Sequence, residues 1–478
     1  MTDQIPLSAS TLVQNLREGR LTASALMEAT LDRIAAVNPK VNAIVALRDA
    51  EDLMAEAATA DAARDKGPLH GLPIAVKDLV NVAGIRSTQG SPLLASFVPD
   101  QDDLLAARLR AAGAILIGKT NTPEFGLGSH TFNPVYGVTR NPYDPSLSCG
   151  GSSGGAAVAL ATGMTALADG SDMMGSLRNP AGWNNVYGFR PTWGVVPPQP
   201  RSEVYLHQLS TPGPMARSPE DIALLLDVIS GPDPRRPHGW PIPPLVPLHA
   251  PSLRGVRIAW LGDWGGAFPM EEGVLETCEA ALRALADLGA DVETPSAPFD
   301  AEALFQSWST LRSWQVAVEL EALAGQGGTL KDTAIWELER GRALSAFEVH
   351  NASVVRSAWL KASLTFFERY DAFVLPTAQV WPFANEIAYP RQIAGQSMDT
   401  YHRWMQVMVP ASLPGLPALA APAGFGAQGL PMGLQLVGPR GADARLLGIG
   451  AAYHAATQWP DTRPPQLEEE KTHDRAGA

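Results

Sequence analysis

Segments with strand and helix patterns alternate along the first half of the chain, and this alternation restricts the possible fold more than any other feature. Residues 72–80 form an apolar strand candidate between two glycines, and residues 102–112 carry leucine and alanine at helical spacing. Residues 114–117 form a second apolar strand candidate, and the alternation continues through 154–230. The sequence therefore predicts α/β architecture with a largely covered sheet.

The composition is that of a folded protein with an acidic surface. Of the 478 residues, 45% are hydrophobic and 18% are charged, which excludes disorder as the main state. The 49 acidic residues outnumber the 36 basic ones, which gives a formal net charge of −13. Because such a surface repels phosphate backbones, we expect no nucleic-acid partner.

The sequence shows neither metal-binding spacing nor a targeting segment. The two cysteines, Cys149 and Cys278, and the scattered histidines match no known metal-ligand pattern, so we expect no metal and no cofactor. The N-terminus lacks the basic and apolar regions of a secretory signal. No apolar run approaches the ~20 residues of a membrane span. We therefore expect a cytoplasmic location without membrane attachment.

The N-terminal part, residues 1–66, is expected to be helical. Thr22 precedes a run of apolar residues at helical spacing and is a candidate N-cap. Asn38 and Pro39 are expected to end that helix, because proline cannot continue a helical hydrogen-bond ladder.

The remainder is expected to form one large domain over residues 67–460. Eight prolines between 232 and 251 predict a stiff connector rather than a helix or strand. Residues 300–370 are helical in pattern and mixed in polarity. Residues 461–478 are polar and are expected to form a flexible tail.

Residues Gly113 to Thr120 satisfy the spacing of a phosphate-binding loop, and we reject that interpretation. Such a loop needs a preceding strand, a flexible turn and a following helix. Here the four intervening residues, Ala-Ile-Leu-Ile, favour a strand, and the turn Asn121-Thr122-Pro123 follows. We therefore expect a buried strand that ends in Gly-Lys-Thr.

Three short stretches could carry chemistry. Lys77 lies within an apolar strand, where a lysine must reach the surface, pair with an acid or lose its proton. Residues 148–155, Ser-Cys-Gly-Gly-Ser-Ser-Gly-Gly, precede a helix and could be a plain glycine-rich loop or an anion cradle. Residues 170–180 form a turn that could be ordinary or could present several backbone N–H groups beside a serine.

Together these stretches resemble the amidase signature family, the serine hydrolases with a serine–cis-serine–lysine triad. The matching segments are GLPIAVKD at 71–78, AGAILIGKTNTPEF at 112–125, NPVYGVTRNPYDP at 133–145, GGSSGG at 150–155, SDMMGSLRNPA at 171–181, YGFRPT at 187–192, STPGPMARS at 210–218, and GLPA with GLPMGLQLVG within 415–438. The resemblance implies a single large α/β/α sandwich, in which helices flank a mixed, mostly covered central sheet. It also implies that residues 67–460 are the catalytic domain.

Carried over to this sequence, the resemblance implies that Ser176 is the nucleophile, Ser152 a proton relay and Lys77 the base. It also implies a cis peptide bond between Gly151 and Ser152. A serine hydroxyl attacks an acyl carbon only when another group takes its proton. A buried lysine can do so in its neutral form, because burial disfavours the ammonium ion.

The resemblance further implies an oxyanion hole formed by the backbone N–H groups of Met173, Met174, Gly175 and Ser176. Four residues are expected to support this machinery structurally. They are Gly151, Ser153, Asp172 and Arg178. We expect Ser153 to form a hydrogen bond within its own loop, and Asp172 and Arg178 to fix the turn that carries Ser176.

The acyl pocket is expected to involve Gly126, Leu127, Gly128 and Met174. Two glycines at 126 and 128 suggest an open wall that admits an aromatic or bulky acyl group. Met174 stands where the family usually has glycine. If that position required positive φ, methionine would be strained, so we expect its side chain to line or narrow the pocket instead.

The leading hypothesis is a metal-free serine hydrolase that cleaves the C–N bond of small or aryl carboxamides through an acyl-enzyme. An alternative changes only the substrate, to a carbamate or an aryl anilide. Less favoured are the catalytic subunit of an amidotransferase that acts on charged tRNA, a non-enzymatic binding protein, and a membrane-associated lipid amidase. Dimers are common in such enzymes, but the sequence does not decide between monomer and homodimer.

Overall fold

The computed structural model describes residues 8–201, 203–324 and 330–467. Its helices are α1 (Ala9–Arg17), α2 (Ala23–Val41), α3 (Ala50–Ala62), α4 (Leu104–Ala111), α5 (Gly154–Ala161), α6 (Arg178–Trp183), α7 (Pro219–Ile229), α8 (Val274–Asp287), α9 (Ala301–Ala324), α10 (Asp332–Ala343), α11 (Ala346–Phe367), α12 (Val409–Ser412), α13 (Asp443–Thr457) and α14 (Trp459–Thr462). Short 3₁₀ turns cover Pro92–Leu94, Glu124–Gly126 and Arg403–Met408.

The strands lie mostly in one large sheet. In chain order they are β1 (Ile44–Val45), β2 (Pro73–Lys77), β3 (Ile115–Thr120), β4 (Phe132–Asn133), β5 (Gly137–Val138), β6 (Leu167–Asp172), β7 (Tyr187–Arg190), β8 (Thr211–Ala216), β9 (Arg257–Trp260), β10 (Asp291–Glu293), β11 (Ala372–Pro376), β12 (Gln392–Ile393), β13 (Gln396–Ser397), β14 (Ala418–Phe425) and β15 (Pro431–Val437).

The central sheet has eight strands in the order β10-β9-β11-β15-β14-β7-β8-β6. Strand β9 pairs in parallel with β10 and β11, and the remaining neighbours are antiparallel. Every residue of β7, β11 and β15 is buried, as expected for strands covered on both faces. The predicted α/β fold with a mixed, covered central sheet flanked by helices is confirmed.

A second sheet has three strands in the order β1-β3-β2, and β2 ends at Lys77, a residue of the site described below. Within residues 113–120, which match the spacing of a phosphate-binding loop, Ile115–Thr120 form strand β3 rather than a loop, as predicted. The side chain of Lys119 in that strand is buried, lies 3.8 Å from Asp78 and donates a hydrogen bond to the Val80 carbonyl. This lysine is therefore engaged within the protein and is not displayed toward a phosphate.

Helix α2 begins as predicted but ends later. The Thr22 side chain accepts a hydrogen bond from Ala25 N at 3.1 Å, so Thr22 is the N-cap. The helix continues through Pro39 to Val41 and stops where Asn42 adopts a left-handed conformation with φ of 54°. Proline has a φ suited to a helix, and one missing N–H near the C-terminal end does not terminate it. The expected end at Asn38 and Pro39 is therefore two to three residues too early.

The proposed division into residues 1–66, 67–460 and 461–478 stays a prediction. The proline-rich stretch 232–251 contains no helix or strand, and helices α9, α10 and α11 fill the described part of 300–370. Residues 468–478 of the predicted tail, residues 1–7 and residues 325–329 lie outside the described residues. Within the described ranges, no helix is both long enough and apolar enough to cross a bilayer.

Candidate active site

Lys77 is the last residue of strand β2, and its buried ammonium group reaches the glycine-rich loop before α5. Its Nζ atom lies 2.8 Å from Ser152 Oγ, 2.8 Å from Ser153 Oγ and 3.1 Å from Ser171 Oγ. The parallel pairing of β2 with β3 fixes the strand that carries Lys77. The lysine is therefore surrounded by three hydroxyl groups.

Burial lowers the pKa of Lys77 to about 7, and the nearby carboxylates of Asp169 and Asp172 oppose this shift without cancelling it. Asp169 accepts a hydrogen bond from the backbone N–H of Lys77 at 2.9 Å, while its other carboxylate oxygen is buried without a partner. A substantial fraction of Lys77 is therefore neutral near pH 7, which is the form that can accept a proton.

The loop that presents Ser152 is built by close approaches that only glycine allows. The peptide bond between Gly151 and Ser152 is cis. A Cβ atom at Gly155 would lie 2.3 Å from Asn121 N, and one at Gly154 would lie 2.2 Å from Thr131 Oγ1. Such distances are shorter than any real contact, so side chains at these positions would displace the loop from the neighbouring backbone.

Ser153 does not bond within its own loop, contrary to our expectation. Its hydroxyl accepts a hydrogen bond from Lys77 Nζ at 2.8 Å and a longer one from Ser171 N at 3.4 Å. Its backbone N–H donates to the carbonyl of Ser176 at 3.2 Å. Ser153 thus connects the lysine strand to the turn that carries Ser176.

The turn after strand β6 is organised around the buried carboxylate of Asp172. This carboxylate accepts hydrogen bonds from Gly175 N at 2.9 Å and Leu177 N at 3.2 Å, and it pairs with Arg178 and Arg190 at 3.0 Å each. Burial alone would raise the pKa of Asp172, but the two guanidinium groups and the hydrogen bonds hold that pKa well below its usual range. Asp172 is therefore ionised.

Arg178 joins this turn to the C-terminal half of the chain. Its guanidinium donates to Ser412 Oγ at 2.7 Å, to Gln435 Oε1 at 2.5 Å and to the Met408 carbonyl at 3.3 Å. All of these contacts are buried. A buried arginine of this kind fixes the relative position of elements that are distant in sequence.

The backbone N–H groups of the turn are not all available to an oxyanion. Gly175 N–H already donates to Asp172, so the predicted inclusion of Gly175 in an oxyanion hole is not supported. The N–H groups of Met173, Met174 and Ser176 have no acceptor among the described residues. Three donors of the predicted four are therefore free.

A cavity of about 140 Å³ lies beside the two serines. Ser152 and Ser176 both line it, as do all four predicted pocket residues, Gly126, Leu127, Gly128 and Met174. Helix α9 closes the cavity on another side with residues that include Arg312, Gln315 and Val316. The predicted residues are therefore brought together around one cavity.

The glycines of this wall do not both leave it open. A Cβ atom at Gly126 would lie 2.8 Å from Leu79 Cδ1, whereas one at Gly128 would meet nothing within 4 Å. Only Gly128 agrees with the expected open wall, since Gly126 is packed closely against Leu79. Met174 is buried and is not among the described non-glycine residues with positive φ, so its side chain lines the cavity without backbone strain, as expected.

The hydroxyl groups of Ser152 and Ser176 do not form a hydrogen bond with each other in this structure. Ser152 is 2% exposed and bonds to Lys77, while Ser176 is half-buried and faces the same cavity. Among the described residues, the Ser176 hydroxyl has no hydrogen-bond partner. Proton transfer between Ser152 and Ser176 therefore requires a side-chain rotation or a bridging water.

Sequence reasoning missed Asp169 and Ser171, although both lie beside Lys77. They are two residues apart on strand β6, so the alternation of a strand places them on the same face. That spacing, next to Asp172, was the sequence signal that could have indicated that Asp169 and Ser171 share one face of the strand. Arg312 and its buried partner Glu337, whose Nε to Oε1 distance is 2.6 Å, had no signal because they belong to the helical region 300–370.

Comparison with known proteins shows the family of this chain. The amidase family model matches residues 25–447. The chain belongs to the amidase family. Within the described ranges, this amidase has no group of three or more acidic, cysteine or histidine side chains that could hold a metal ion.

This amidase is similar over nearly its full length to curated proteins with two kinds of name. It is 34% identical to the acylamidase of Rhodococcus erythropolis, covering 96% of this chain and 97% of that protein. It is 35% identical to a glutamyl-tRNA(Gln) amidotransferase subunit from Symbiobacterium thermophilum, covering 97% of this chain and 99% of that protein.

Among solved structures, the fold is similar to that of a bacterial aryl acylamidase of the amidase signature family, with a TM-score of 0.90 and 26% identity over 97% of this chain and 99% of that one. The predicted family membership is confirmed. The protein is an amide-hydrolysing enzyme.

Proposed function

We propose that this amidase cleaves carboxamide C–N bonds through an acyl-enzyme in which Ser176 is the nucleophile, Ser152 the proton relay and Lys77 the base. The observation that carries the proposal is the 2.8 Å hydrogen bond between buried Lys77 Nζ and Ser152 Oγ, beside a cavity that Ser176 also lines. Burial supplies the neutral amine that the reaction needs.

In the first step, the hydroxyl of Ser176 attacks the carbonyl carbon of the amide. Its proton passes to Ser152 Oγ while the Ser152 proton passes to Lys77 Nζ, so the relay serine ends with one proton, as it began. The negative charge on the carbonyl oxygen is stabilised by the free N–H groups of Met173, Met174 and Ser176.

In the second step, the C–N bond breaks and the departing nitrogen takes a proton from Lys77 through Ser152. The acyl group stays on Ser176 as an ester, and the amine leaves. Water then attacks the ester, and the same relay removes its proton and returns one to Ser176. Each cycle consumes one amide and one water and releases one amine and one carboxylic acid.

Small or aryl amides are the proposed substrates. The cavity near Ser176 is small, and its walls combine apolar side chains, among them Leu79 and Val316, with polar ones such as Gln315. The similarity to a bacterial aryl acylamidase and to the acylamidase of Rhodococcus erythropolis supports acyl amides of this kind.

We also propose, from the sequence, that the protein is cytoplasmic.

A carbamate or aryl-anilide hydrolase would use the same three side chains on a different leaving group. Rates on a p-nitroanilide, a primary aryl amide and an aryl carbamate with matched rings distinguish these substrates. We expect the amide and the anilide to be turned over faster than the carbamate. Faster turnover of the carbamate than of the amide and the anilide would instead indicate a carbamate hydrolase.

An amidotransferase subunit is the second candidate, favoured by the 35% identity to the Symbiobacterium thermophilum protein of that name. The structural similarity to an aryl acylamidase, at a TM-score of 0.90, favours a stand-alone hydrolase. The two are separated by assaying the purified single chain on simple amides. A hydrolase is active alone, whereas an amidotransferase subunit is expected to be inactive on these substrates without its partners.

Intact-mass analysis after exposure to phenylmethylsulfonyl fluoride tests the nucleophile. We expect one sulfonyl adduct on Ser176 and neither adduct nor amide turnover in Ser176→Ala. Ser210→Ala is the matched control, because Ser210 lines the same cavity. It is expected to retain the adduct. Amide turnover that persists in Ser176→Ala would refute the proposal.

A further inference from the structure

A second cavity, of about 200 Å³, is lined by two arginines and lies apart from the cavity at Ser176. Its lining includes Arg356 and Leu360 of α11, Arg440 after β15, and Trp193, Leu413 and Pro414. The two cavities share no lining residue. This cavity therefore belongs neither to the nucleophile turn nor to the acyl pocket.

Neither arginine is paired with an acid within the described part of the chain. Arg356 makes one long hydrogen bond, from Nη2 to Ser353 Oγ at 3.5 Å. Arg440 donates from Nη2 to the Trp193 carbonyl at 3.3 Å, and its Nε–H is buried with no acceptor. Several guanidinium N–H donors therefore remain open to an acceptor within the cavity.

Burial disfavours both guanidinium charges, and a nearby carboxylate, that of Asp443, offsets this in part at Arg440. Burial lowers the pKa of the Arg356 guanidinium and that of Arg440. Asp443 opposes the shift at Arg440, but its carboxylate is already occupied by the backbone N–H and the hydroxyl of Thr192, at 2.8 and 2.5 Å. Both arginines are only partly buried, and two like charges that share one cavity repel each other, which a bound anion would relieve.

The rest of the lining indicates what kind of anion fits. Trp193 is 7% exposed and presents an aromatic surface, and Leu360, Leu413 and Pro414 add aliphatic surface. An inorganic anion would leave this apolar surface uncovered, whereas an organic anion covers it. A planar carboxylate matches the fork of N–H donors on a guanidinium.

We propose that this cavity binds a small organic carboxylate, with its charged group between Arg356 and Arg440 and its flat apolar body against Trp193 and Leu413. The proposal is independent of the chemistry at Ser176, because it concerns residues that the proposed reaction does not use. A single-ring carboxylate such as benzoate is a suitable probe for a cavity of about 200 Å³.

Two residues that line the cavity are sequence neighbours of residues that hold the nucleophile turn through Arg190. Leu413 follows Ser412, whose carbonyl accepts from Arg190 at 3.3 Å. Gln208, which also lines the cavity, precedes Leu209, whose carbonyl accepts from Arg190 at 2.9 Å. Bound benzoate is therefore expected to contact residues next to Ser412 and Leu209, in a cavity that shares no lining residue with the one at Ser176, and not to compete with the amide substrate.

Isothermal titration calorimetry of benzoate, in the Ser176→Ala background to prevent turnover of the neutral isostere benzamide, tests the site. We expect one benzoate per chain, with the dissociation constant raised at least about tenfold in Arg356→Gln and in Arg440→Gln. Benzamide, which can occupy the acyl cavity as a substrate, is expected to bind with a dissociation constant that Arg356→Gln and Arg440→Gln leave unchanged. Inorganic phosphate is expected to bind at least about tenfold more weakly than benzoate.

Arg340→Gln is the matched control. The guanidinium of Arg340 lies 5.2 Å from the centre of the Trp336 ring, as that of Arg440 lies 4.8 Å from the centre of the Trp240 ring. Because Arg340 does not line the cavity, its replacement is expected to leave the dissociation constant of benzoate unchanged. In the wild-type enzyme, saturating benzoate is expected to leave KM for the amide unchanged.

Four results would each overturn the proposal. Benzoate affinity that is unchanged in both arginine variants, or benzoate that competes with the amide, would place the ligand elsewhere. Phosphate that binds as tightly as benzoate would make this an inorganic-anion site. If an arginine variant fails to fold, Leu360→Trp is used instead, because it fills the cavity without removing a charge. Benzoate that binds to Leu360→Trp with full affinity would also reject the site.

Discussion

Lys77 Nζ is as close to the hydroxyl of Ser153 as to that of Ser152, at 2.8 Å in both cases. The two hydroxyls differ in their second contacts. Ser152 lines the cavity that Ser176 faces, whereas Ser153 accepts from Ser171 N and donates its own N–H to the Ser176 carbonyl. Ser153 therefore orients the lysine without facing the substrate, and it is a positioning residue.

Replacement of Ser153 by alanine is expected to lower kcat about 10- to 100-fold, because a hydrogen bond to a charged or proton-accepting group contributes about 1.5–3 kcal/mol. The hydroxyl also stabilises the ammonium form, so its removal is expected to move the pH at half-maximal kcat/KM downward. Pre-steady-state and pH-rate measurements check both effects. Ser171→Ala removes the longer contact of 3.1 Å and is expected to lower kcat less. A loss of protein stability with an unchanged pH profile would contradict the positioning role.

The activity is expected to rise with pH, to be half-maximal near pH 7 and to level off about one unit higher, because only neutral Lys77 accepts a proton and its pKa is lowered to about 7. A pH-rate profile of kcat/KM measures this rise and its midpoint. Lys119, whose pKa burial lowers to about 8, lies outside the cavity, and Lys119→Met is expected to leave the midpoint unchanged in any folded protein. A midpoint near the ordinary lysine value would reject Lys77 as the base.

The same shift makes a prediction about stability. The unfolded chain holds a proton on Lys77 up to about pH 10.5, whereas the folded chain loses it near pH 7, so stability rises with pH between these values. From pH 7 to pH 9 the gain from this group is about 2 kcal/mol. Urea unfolding of the wild type and of Lys77→Met at both values measures it as a difference. Equal pH dependence in the two proteins would show that the pKa of Lys77 is not lowered by folding.

Asp172→Asn is expected to reduce the free energy of unfolding by about 3–5 kcal/mol, because it leaves the buried guanidiniums of Arg178 and Arg190 without their carboxylate. Urea denaturation measures the loss. Glu321→Gln breaks an exposed pair with Arg342 and serves as the control, with no change expected. An Asp172→Asn protein as stable as the wild type would show that hydrogen bonds, rather than charge, hold the turn.

Met174→Ala is expected to enlarge the cavity at Ser176 and to raise kcat/KM for a bulky acyl anilide relative to acetanilide by about tenfold, since hydrophobic pockets discriminate by about 1–3 kcal/mol per methylene group. Steady-state kinetics on the two anilides measure the ratio. Met405→Ala, which also enlarges the cavity but lies outside the turn, separates volume from turn geometry. A fall in both rates without a change in their ratio would show that Met174 acts on the turn instead.

Local sequence patterns predicted the elements that carry the site, but not all of its contacts. The apolar run around Lys77 predicted strand β2, and the glycine-rich run predicted a loop before α5. The third hydroxyl near the lysine, that of Ser171, depends on how strand β6 faces β2, which no local pattern contains. The capture of the Gly175 N–H by Asp172 likewise depends on the conformation of one turn.

Contacts between residues far apart in the sequence could not be predicted for a different reason. Arg312 reaches the cavity from α9, and its partner Glu337 lies on α10 in a region whose pattern showed only helices. Arg178 was expected to fix the turn, but its bonds to Ser412 and Gln435 span more than 200 residues. Such pairs follow from tertiary packing, and propensity and periodicity do not encode them.

The bonds from Arg178 to Ser412 and Gln435 have a consequence for how the enzyme matures. The three proposed catalytic side chains lie within the first 176 residues, yet the arginine beside the nucleophile is held by a helix and a strand from the last 70. A chain still emerging from the ribosome would carry every reactive group before the support for them exists. Hydrolytic competence is therefore expected only after the segments that carry Ser412 and Gln435 have folded against Arg178.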